Sequence, residues 1–82
     1  MKIGEKLLKV LSKKYTPSDM VSARFERYDL AMKTDEEGNA VMLFIGKLNE
    51  EGVIKGNRFT RVLIKDPSGK IIKDHWDHKG KT

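Results

Sequence analysis

The sequence predicts an α+β fold, in which an N-terminal amphipathic helix packs on a four-stranded antiparallel β-meander. Three observations lead to this prediction. Apolar residues recur at helical spacing near the N-terminus, a largely apolar run at 40–48 lies between turn signals, and one turn motif occurs three times. With 82 residues, the chain is expected to form a single small α+β domain over 1–82, ending in a flexible tail at 78–82.

Composition narrows the class of protein. Hydrophobic residues make up 38% of the chain and charged residues 35%, which suits a globular domain. No run approaches the roughly 20 apolar residues of a membrane-spanning helix, and early charges interrupt any signal-peptide core. Without cysteine, there is no disulfide framework and no thiol nucleophile. We therefore expect a cytoplasmic protein that needs no membrane and no cofactor.

The first predicted element is a helix over residues 2–14. Its apolar positions follow one helical stripe: Ile3, Leu7, Leu8, Val10 and Leu11. Its lysines fall on the opposite side: Lys2, Lys6, Lys9 and Lys13. Such a helix can lie on an anionic membrane, but so regular a stripe favours packing on the domain's own core.

The segment from 15 to 34 has two interpretations. Thr16, Pro17 and Asp19 suit the N-cap, N1 and N3 positions of a helix. We predict a short helical turn at 17–21 followed by a strand at 23–34, because apolar and polar residues alternate there. The alternative is a longer helix that uses a stripe of Val21, Phe25, Tyr28 and Met32.

Three turns share one pattern of residues. They are Asp35-Glu36-Glu37-Gly38, Asn49-Glu50-Glu51-Gly52 and Asp66-Pro67-Ser68-Gly69. Asp or Asn suits the first position of a type I turn, and the final Gly suits a left-handed conformation. The turns separate predicted strands at 23–34, 40–48, 53–65 and 70–76.

The turns also predict which strand residues are neighbours. Thr34 is expected to pair near Ala40, and Gly46 to lie opposite Gly56. The same register brings Met32, Leu30 and Tyr28 beside Met42, Phe44 and Gly46. A bulge at Gly56 would bring Phe59 beside Phe44; without it, the third strand presents its other face.

The central strand is apolar on both faces. Val41, Leu43 and Ile45 point one way, and Met42, Phe44 and Leu48 point the other. The helix can cover only one of these faces, and the sequence leaves open which one. We expect the other to be covered by sheet curvature, by the 15–22 segment or by another molecule.

No catalytic motif is present, so the sequence favours a small non-catalytic binding or protein-interaction module. Its partner would be another copy of the chain or a different protein, bound through the second sheet face. The formal net charge of +5 is concentrated in the C-terminal third, where eight basic and three acidic residues lie. This charge is compatible with surface solubility and with an anionic partner.

Two other functions remain as hypotheses. A nucleic-acid-binding module would use basic residues interleaved with an aromatic one: Lys55, Arg58, Phe59, Arg61 and Lys73. A metal-binding protein or metal-dependent enzyme would use the cluster at 74–78, with His75, Asp77 and His78 as candidate ligands. Because residues three apart on a strand point to opposite faces, both hypotheses need a distortion of the chain, and no metal site is predicted.

Overall fold

The computed structural model describes residues 2–82, which form one short helix and a five-stranded antiparallel sheet. The elements in chain order are α1 (Glu5–Leu11), β1 (Met20–Phe25), β2 (Tyr28–Thr34), β3 (Ala40–Leu48), β4 (Ile54–Lys65) and β5 (Ile71–Lys81). The strands lie side by side in the order β1-β2-β3-β4-β5, so the sheet is a simple meander. Within 2–82 there is no helix with the length and apolar character needed to cross a membrane.

Helix α1 has seven residues and is shorter than the predicted 2–14. Gly4 occupies the N-cap position, and the Ser12 backbone N–H donates to the Leu8 carbonyl oxygen (2.9 Å) at the other end. The Ser12 hydroxyl donates to the same oxygen (2.8 Å), which closes the last turn. The predicted apolar stripe is nevertheless the packed side of the helix, because Leu7 and Leu11 are buried.

The strand predicted at 23–34 is in fact two strands, so the sheet has five strands rather than four. A two-residue turn at Glu26 and Arg27 joins β1 to β2, with Phe25 opposite Tyr28. Glu26 adopts a φ of 54°, the left-handed backbone that tight hairpin turns require. The prediction of a single strand at 23–34 was therefore wrong, because a turn at Glu26 and Arg27 divides it.

The helical turn predicted at 17–21 is also wrong, because β1 already begins at Met20. The Ser18 N–H donates to the Asp35 carbonyl oxygen (2.8 Å), and the Thr34 hydroxyl donates to the Thr16 carbonyl oxygen (2.6 Å). These bonds hold the segment against the β2–β3 turn. The polar residues read as a helix cap thus form a turn that leads into a strand.

The three predicted hairpin turns are confirmed and have the same geometry. Their glycines Gly38, Gly52 and Gly69 have φ values of 83°, 81° and 88°. In each turn the leading Asp or Asn side chain accepts backbone N–H bonds from residues further along the turn. The repeated motif therefore encodes one hydrogen-bonded turn, used three times.

The predicted register holds at the centre of the sheet and slips at one hairpin. Gly46 lies opposite Gly56, as predicted, and a Cβ on Gly46 would come within 2.0 Å of the Lys55 carbonyl oxygen. Thr34 pairs with Ala40, but a bulge at Lys33/Thr34 shifts the rest of β2 by one residue. Met32 and Leu30 therefore face Leu43 and Ile45, not Met42 and Phe44.

The register between β3 and β4 shows which face of β4 carries Phe59. Phe59 lies opposite Leu43, and Phe44 lies opposite Arg58, so no bulge intervenes at Gly56. Leu43 and Ile45 are fully buried on the side of α1. The core consists of Leu7, Leu11, Leu30, Met32, Ala40, Leu43, Ile45 and Phe59.

The last strand is longer than predicted. β5 extends to Lys81 instead of stopping at residue 76, and Lys81 pairs with Asn57 of β4. The Thr82 N–H donates to the Gly56 carbonyl oxygen (3.0 Å). The residues at 78–82, predicted as a flexible tail, are thus bonded to β4, because β4 is long enough to pair along this whole stretch.

Candidate functional site

Helix α1 covers one face of the sheet, and the opposite face carries the other half of the strand side chains. We call this opposite side the helix-free face. The residues that point to it follow from strand alternation and register: Met20, Ser22 and Arg24 of β1; Asp29, Ala31 and Lys33 of β2; Met42, Phe44 and Leu48 of β3; Ile54, Arg58, Thr60, Val62 and Ile64 of β4; Lys73, His75 and Asp77 of β5.

A cleft of about 370 Å³ lies on the helix-free face. Phe44, which is half-buried, lines it together with Met20, Leu48 and Val53. Those last three side chains are 54%, 56% and 45% exposed, although all are apolar. Large apolar side chains that gather around a concavity are typical of a binding surface.

The polar groups at the margin of the cleft already have partners within the chain. One Asp29 carboxylate oxygen accepts the Leu48 N–H (2.9 Å), and the Thr82 hydroxyl donates to the Ile54 carbonyl oxygen (2.8 Å). The same hydroxyl accepts the Gly56 N–H (3.1 Å). These groups fix the shape of the cleft, and its recognition chemistry is therefore mainly apolar.

Exposed cations outnumber carboxylates on the helix-free face. The cationic side chains are Arg24, Lys33, Arg58 and Lys73, and the carboxylates are Asp29 and Asp77. Arg58 lies directly opposite Phe44, and Lys33 lies opposite Met20, so two of the cations adjoin residues of the cleft. The face thus combines an apolar cleft, whose lining includes the Asp29 carboxylate, with a surround in which cations outnumber carboxylates.

The predicted metal cluster is divided between the two faces of the sheet. His75 Nε2 lies 2.8 Å from Asp77 Oδ1 on the helix-free face. His78 lies on the helix side, where its ring is 4.9 Å from that of Phe59 and its Nε2 is 2.8 Å from Asn57 Oδ1. Within 2–82 no group of three or more metal-ligating His, Cys, Asp or Glu side chains occurs.

The residues predicted to bind nucleic acid are likewise divided. Phe59 is buried in the core, which removes it as a surface for stacking bases. Arg61 is held inside the structure, and Lys55 also belongs to the helix side of the sheet. Arg58 and Lys73 point to the helix-free face, where the nearest aromatic neighbour of Arg58 across the strands is Phe44.

Arg61 has a structural role that the sequence reasoning missed. Its Nε and Nη2 donate to the two carboxylate oxygens of Asp74 (2.7 and 2.6 Å), and Nη1 donates to the carbonyl oxygens of Leu11 (3.2 Å) and Ala40 (3.1 Å). The guanidinium also lies 5.5 Å from the centre of the Trp76 ring. Arg61 therefore ties the end of α1 to β3 and β5.

The contact with Arg61 changes the pKa of Asp74. Hydrogen bonds from the Arg61 guanidinium, together with its charge, lower the pKa of Asp74 below its usual value, although partial burial acts in the opposite direction. The sequence held no clear signal for this pair. The Asp66–Gly69 turn sets Lys65 opposite Ile71, a register that would bring Arg61 opposite His75. A bulge between Ile64 and Lys65 shifts the ladder by one residue and brings Arg61 opposite Trp76, next to Asp74.

A second, more polar hollow of about 780 Å³ lies beside the β2–β3 turn and includes Asp35 and Glu37. Burial raises the pKa of Asp35, but hydrogen bonds from Asn39 and Glu37 and the charge of Lys14 lower it by more. The pKa of Asp35 therefore lies below its usual value. The Lys65 ammonium bonds to the Glu37 carboxylate and lowers its pKa. The Asp35 carboxylate thus holds the turn, and the Glu37 carboxylate joins the turn to β4.

Comparison of the chain with protein-family models, with curated proteins and with solved structures gave no match. Function therefore has to be inferred from the surface itself. The cleft on the helix-free face exposes large apolar side chains that the core of the fold does not cover.

Proposed function

We propose that the chain is a small non-catalytic protein-interaction module, which binds apolar side chains of a protein partner in the cleft on its helix-free face. The observation that supports this proposal is the gathering of Met20, Leu48 and Val53, all about half exposed, around half-buried Phe44. In a monomer this arrangement leaves apolar surface in water at a cost of about 25 cal/mol per Å². A partner that covers it recovers this free energy.

The size of the cleft suits side chains of a partner protein. At about 370 Å³, it is near the lower end of the range for ligand pockets, which is enough for one or two large apolar side chains. Burying such a side chain contributes about 1.5–3 kcal/mol. A few anchors of this kind are sufficient for a specific complex of moderate affinity.

The charges around the cleft favour an acidic partner. Lys33 and Arg58 border the apolar region, whereas Arg24 lies opposite the Asp29 carboxylate. A segment with Asp or Glu beside its apolar anchors is electrostatically complementary to the two bordering cations. A second copy docked face to face would instead bring like charges together. We therefore propose an acidic, apolar segment of another protein as the occupant.

A random-peptide display selection on the intact chain tests the proposal. We expect enrichment of peptides that combine large apolar residues with Asp or Glu. A cleft variant, Leu48→Gln with Val53→Gln, should bind a selected peptide about 30-fold more weakly, because two half-exposed anchors are worth about 2 kcal/mol together. A control variant carries the same change at two exposed apolar residues outside the cleft, Leu8→Gln with Ile72→Gln, and should bind like the parent.

Two results would contradict the proposal. One is a selection that enriches no peptide, or peptides whose affinity the cleft variant leaves unchanged. The other is binding of single-stranded oligonucleotides, with an affinity that falls steeply as salt rises and is lost in Arg58→Gln. That second result would transfer the function to nucleic-acid binding on the same face.

A further inference from the structure

Strand β1 forms one edge of the sheet, and its outer side carries backbone groups with no neighbouring strand. The Thr34 N–H donates to the Asp19 carbonyl oxygen (2.9 Å), so the odd-numbered residues of this strand bond to β2. Ser22 and Arg24 consequently direct their N–H and C=O groups away from the sheet. The N–H of Met20 also points outward, but it donates to the Asp19 carboxylate (2.8 Å).

The two edges of the sheet are protected to different degrees. β5 carries exposed lysines at Lys73, Lys79 and Lys81 and two bulges in its ladder, which discourage strand addition although the strand is eleven residues long. β1 has one cation, Arg24, and three half-buried apolar residues. Those three residues, Val21, Ala23 and Phe25, pack against the margin of the core and remain partly uncovered at the edge.

We propose that a second copy of the chain adds its own β1 to this edge, antiparallel and centred on Ala23, so that one sheet runs through both copies. In this register Ser22 lies opposite Arg24 of the second copy, and their four outward backbone groups pair around the twofold axis. Val21 lies opposite Phe25 of the second copy. An aromatic residue across from a β-branched one is a favourable cross-strand pair.

Charge supports the same partner and the same register. Although the chain has a net charge of +5, the segment from 19 to 27 contains two acidic and two basic residues. Pairing centred on Ala23 brings Asp19 opposite Arg27 of the second copy. It also brings Glu26 of the second copy opposite Met20, whose neighbour on β2 is Lys33. The segment is therefore complementary to itself when it is antiparallel.

The adjacent register is less favourable. Centring the pair on Ser22 would require the Met20 N–H, which the Asp19 carboxylate already occupies, and would set Phe25 against Asp19 of the second copy. Centring it on Ala23 leaves that hydrogen bond intact. The dimer goes beyond the proposed function, because it uses the edge of the sheet and leaves both clefts open on the same side.

The absence of native cysteine makes the register directly testable. Opposed residues of a non-hydrogen-bonded pair have Cα atoms about 4.5 Å apart, which is within disulfide range. Ala23→Cys should therefore form a disulfide-linked dimer on mild oxidation, whereas Val21→Cys, which faces Phe25, should not. Efficient linking of Val21→Cys, or no linking of Ala23→Cys, would overturn the register.

Sedimentation over a concentration series tests the dimer itself. The parent and Ser22→Ala should dimerise, whereas Ser22→Pro should be monomeric with an unchanged far-ultraviolet circular dichroism spectrum. Proline at 22 removes an outward N–H and leaves the β1–β2 bonds in place. A strictly monomeric parent, or a folded Ser22→Pro variant that dimerises as well as the parent, would overturn the proposal. A monomeric parent that still binds selected peptides would leave the proposed function standing.

Discussion

Removing the Arg61 side chain should destabilise the protein by breaking the polar link between α1 and the sheet. It is only 7% exposed, and its guanidinium joins the end of α1, β3 and β5 through hydrogen bonds to Leu11, Ala40 and Asp74. We consider the substitution Arg61→Met, which keeps an unbranched apolar stem and removes all of these donors. The helix would then keep its apolar contacts but lose its polar attachment to the sheet.

The expected loss can be worked out from the contacts. The carbonyl oxygens of Leu11 and Ala40 each lose a bond to a charged donor, at about 1–2 kcal/mol apiece, or about 2–4 kcal/mol together. The Asp74 side chain is 41% exposed, so its part of the ion pair is screened by solvent and is worth less than about 1 kcal/mol. For a domain of this size, we expect the melting temperature to fall by about 10–30 °C.

Urea denaturation of the parent and variants gives the test. Trp76 is the single tryptophan of the chain and packs near Arg61, so its fluorescence reports on this region. Arg58→Met is the matched control, because Arg58 is exposed on the same strand, and it should change stability by less than about 0.5 kcal/mol. Equal losses for the two variants would refute the role of Arg61 as the link between helix and sheet.

Three further predictions concern stability. Gly46→Ala should cost more than about 3 kcal/mol in urea denaturation, because its Cβ would meet the Lys55 carbonyl oxygen. Gly4→Ala has open space around it and should cost only about 1 kcal/mol or less, from the helix N-cap; equal losses would contradict the close strand contact. Leu43→Ala should cost about 2–5 kcal/mol, and Phe44→Ala clearly less, since only Leu43 is fully buried; the reverse order would mean that the helix-free face is the real core. The lowered pKa of Asp74 adds stability at neutral pH that is lost as pH falls below 3.8, so the gap between the parent and Asp74→Asn should shrink in acid; a gap that widens there would refute the ion pair.

Much of the sheet could be predicted from local turn chemistry. Each Asp or Asn at the start of a turn, with Gly at its end, fixes a hairpin through bonds between residues a few positions apart. For that reason the bounds of β3 match the prediction, and those of β4 differ by one residue. Local interactions of this kind need no knowledge of the rest of the fold.

The error between residues 17 and 34 has a specific cause. The apolar residues before the turn, Val21 and Phe25, have odd numbers. Those after it, Tyr28 and Met32, have even numbers. That change of phase is what a two-residue turn produces, because the residues on either side of it lie on the same face. The same change of phase imitates a helical stripe, and no Gly or Asn marks the turn at Glu26 and Arg27.

For the candidate site, the sequence could predict only which side chains share a face of the sheet. The sequence indicated that Met42, Phe44 and Leu48 point away from Leu43 and Ile45, but it could not identify the side that α1 covers. That choice depends on the contacts of Leu7 and Leu11 with residues distant in the chain. The cleft depends further on Met20, which was predicted to be helical, and therefore lay beyond the reach of the sequence pattern.

The central claim is that the helix-free face binds protein, and mapping of amide chemical shifts tests it most directly. The ¹⁵N-labelled chain would be titrated with an acidic, apolar peptide from the display selection. We predict that the largest shifts cluster at residues of the cleft, among them Met20, Ala31, Phe44 and Leu48. Shifts concentrated instead on α1 around Leu8, with the cleft unaffected, would contradict the claim.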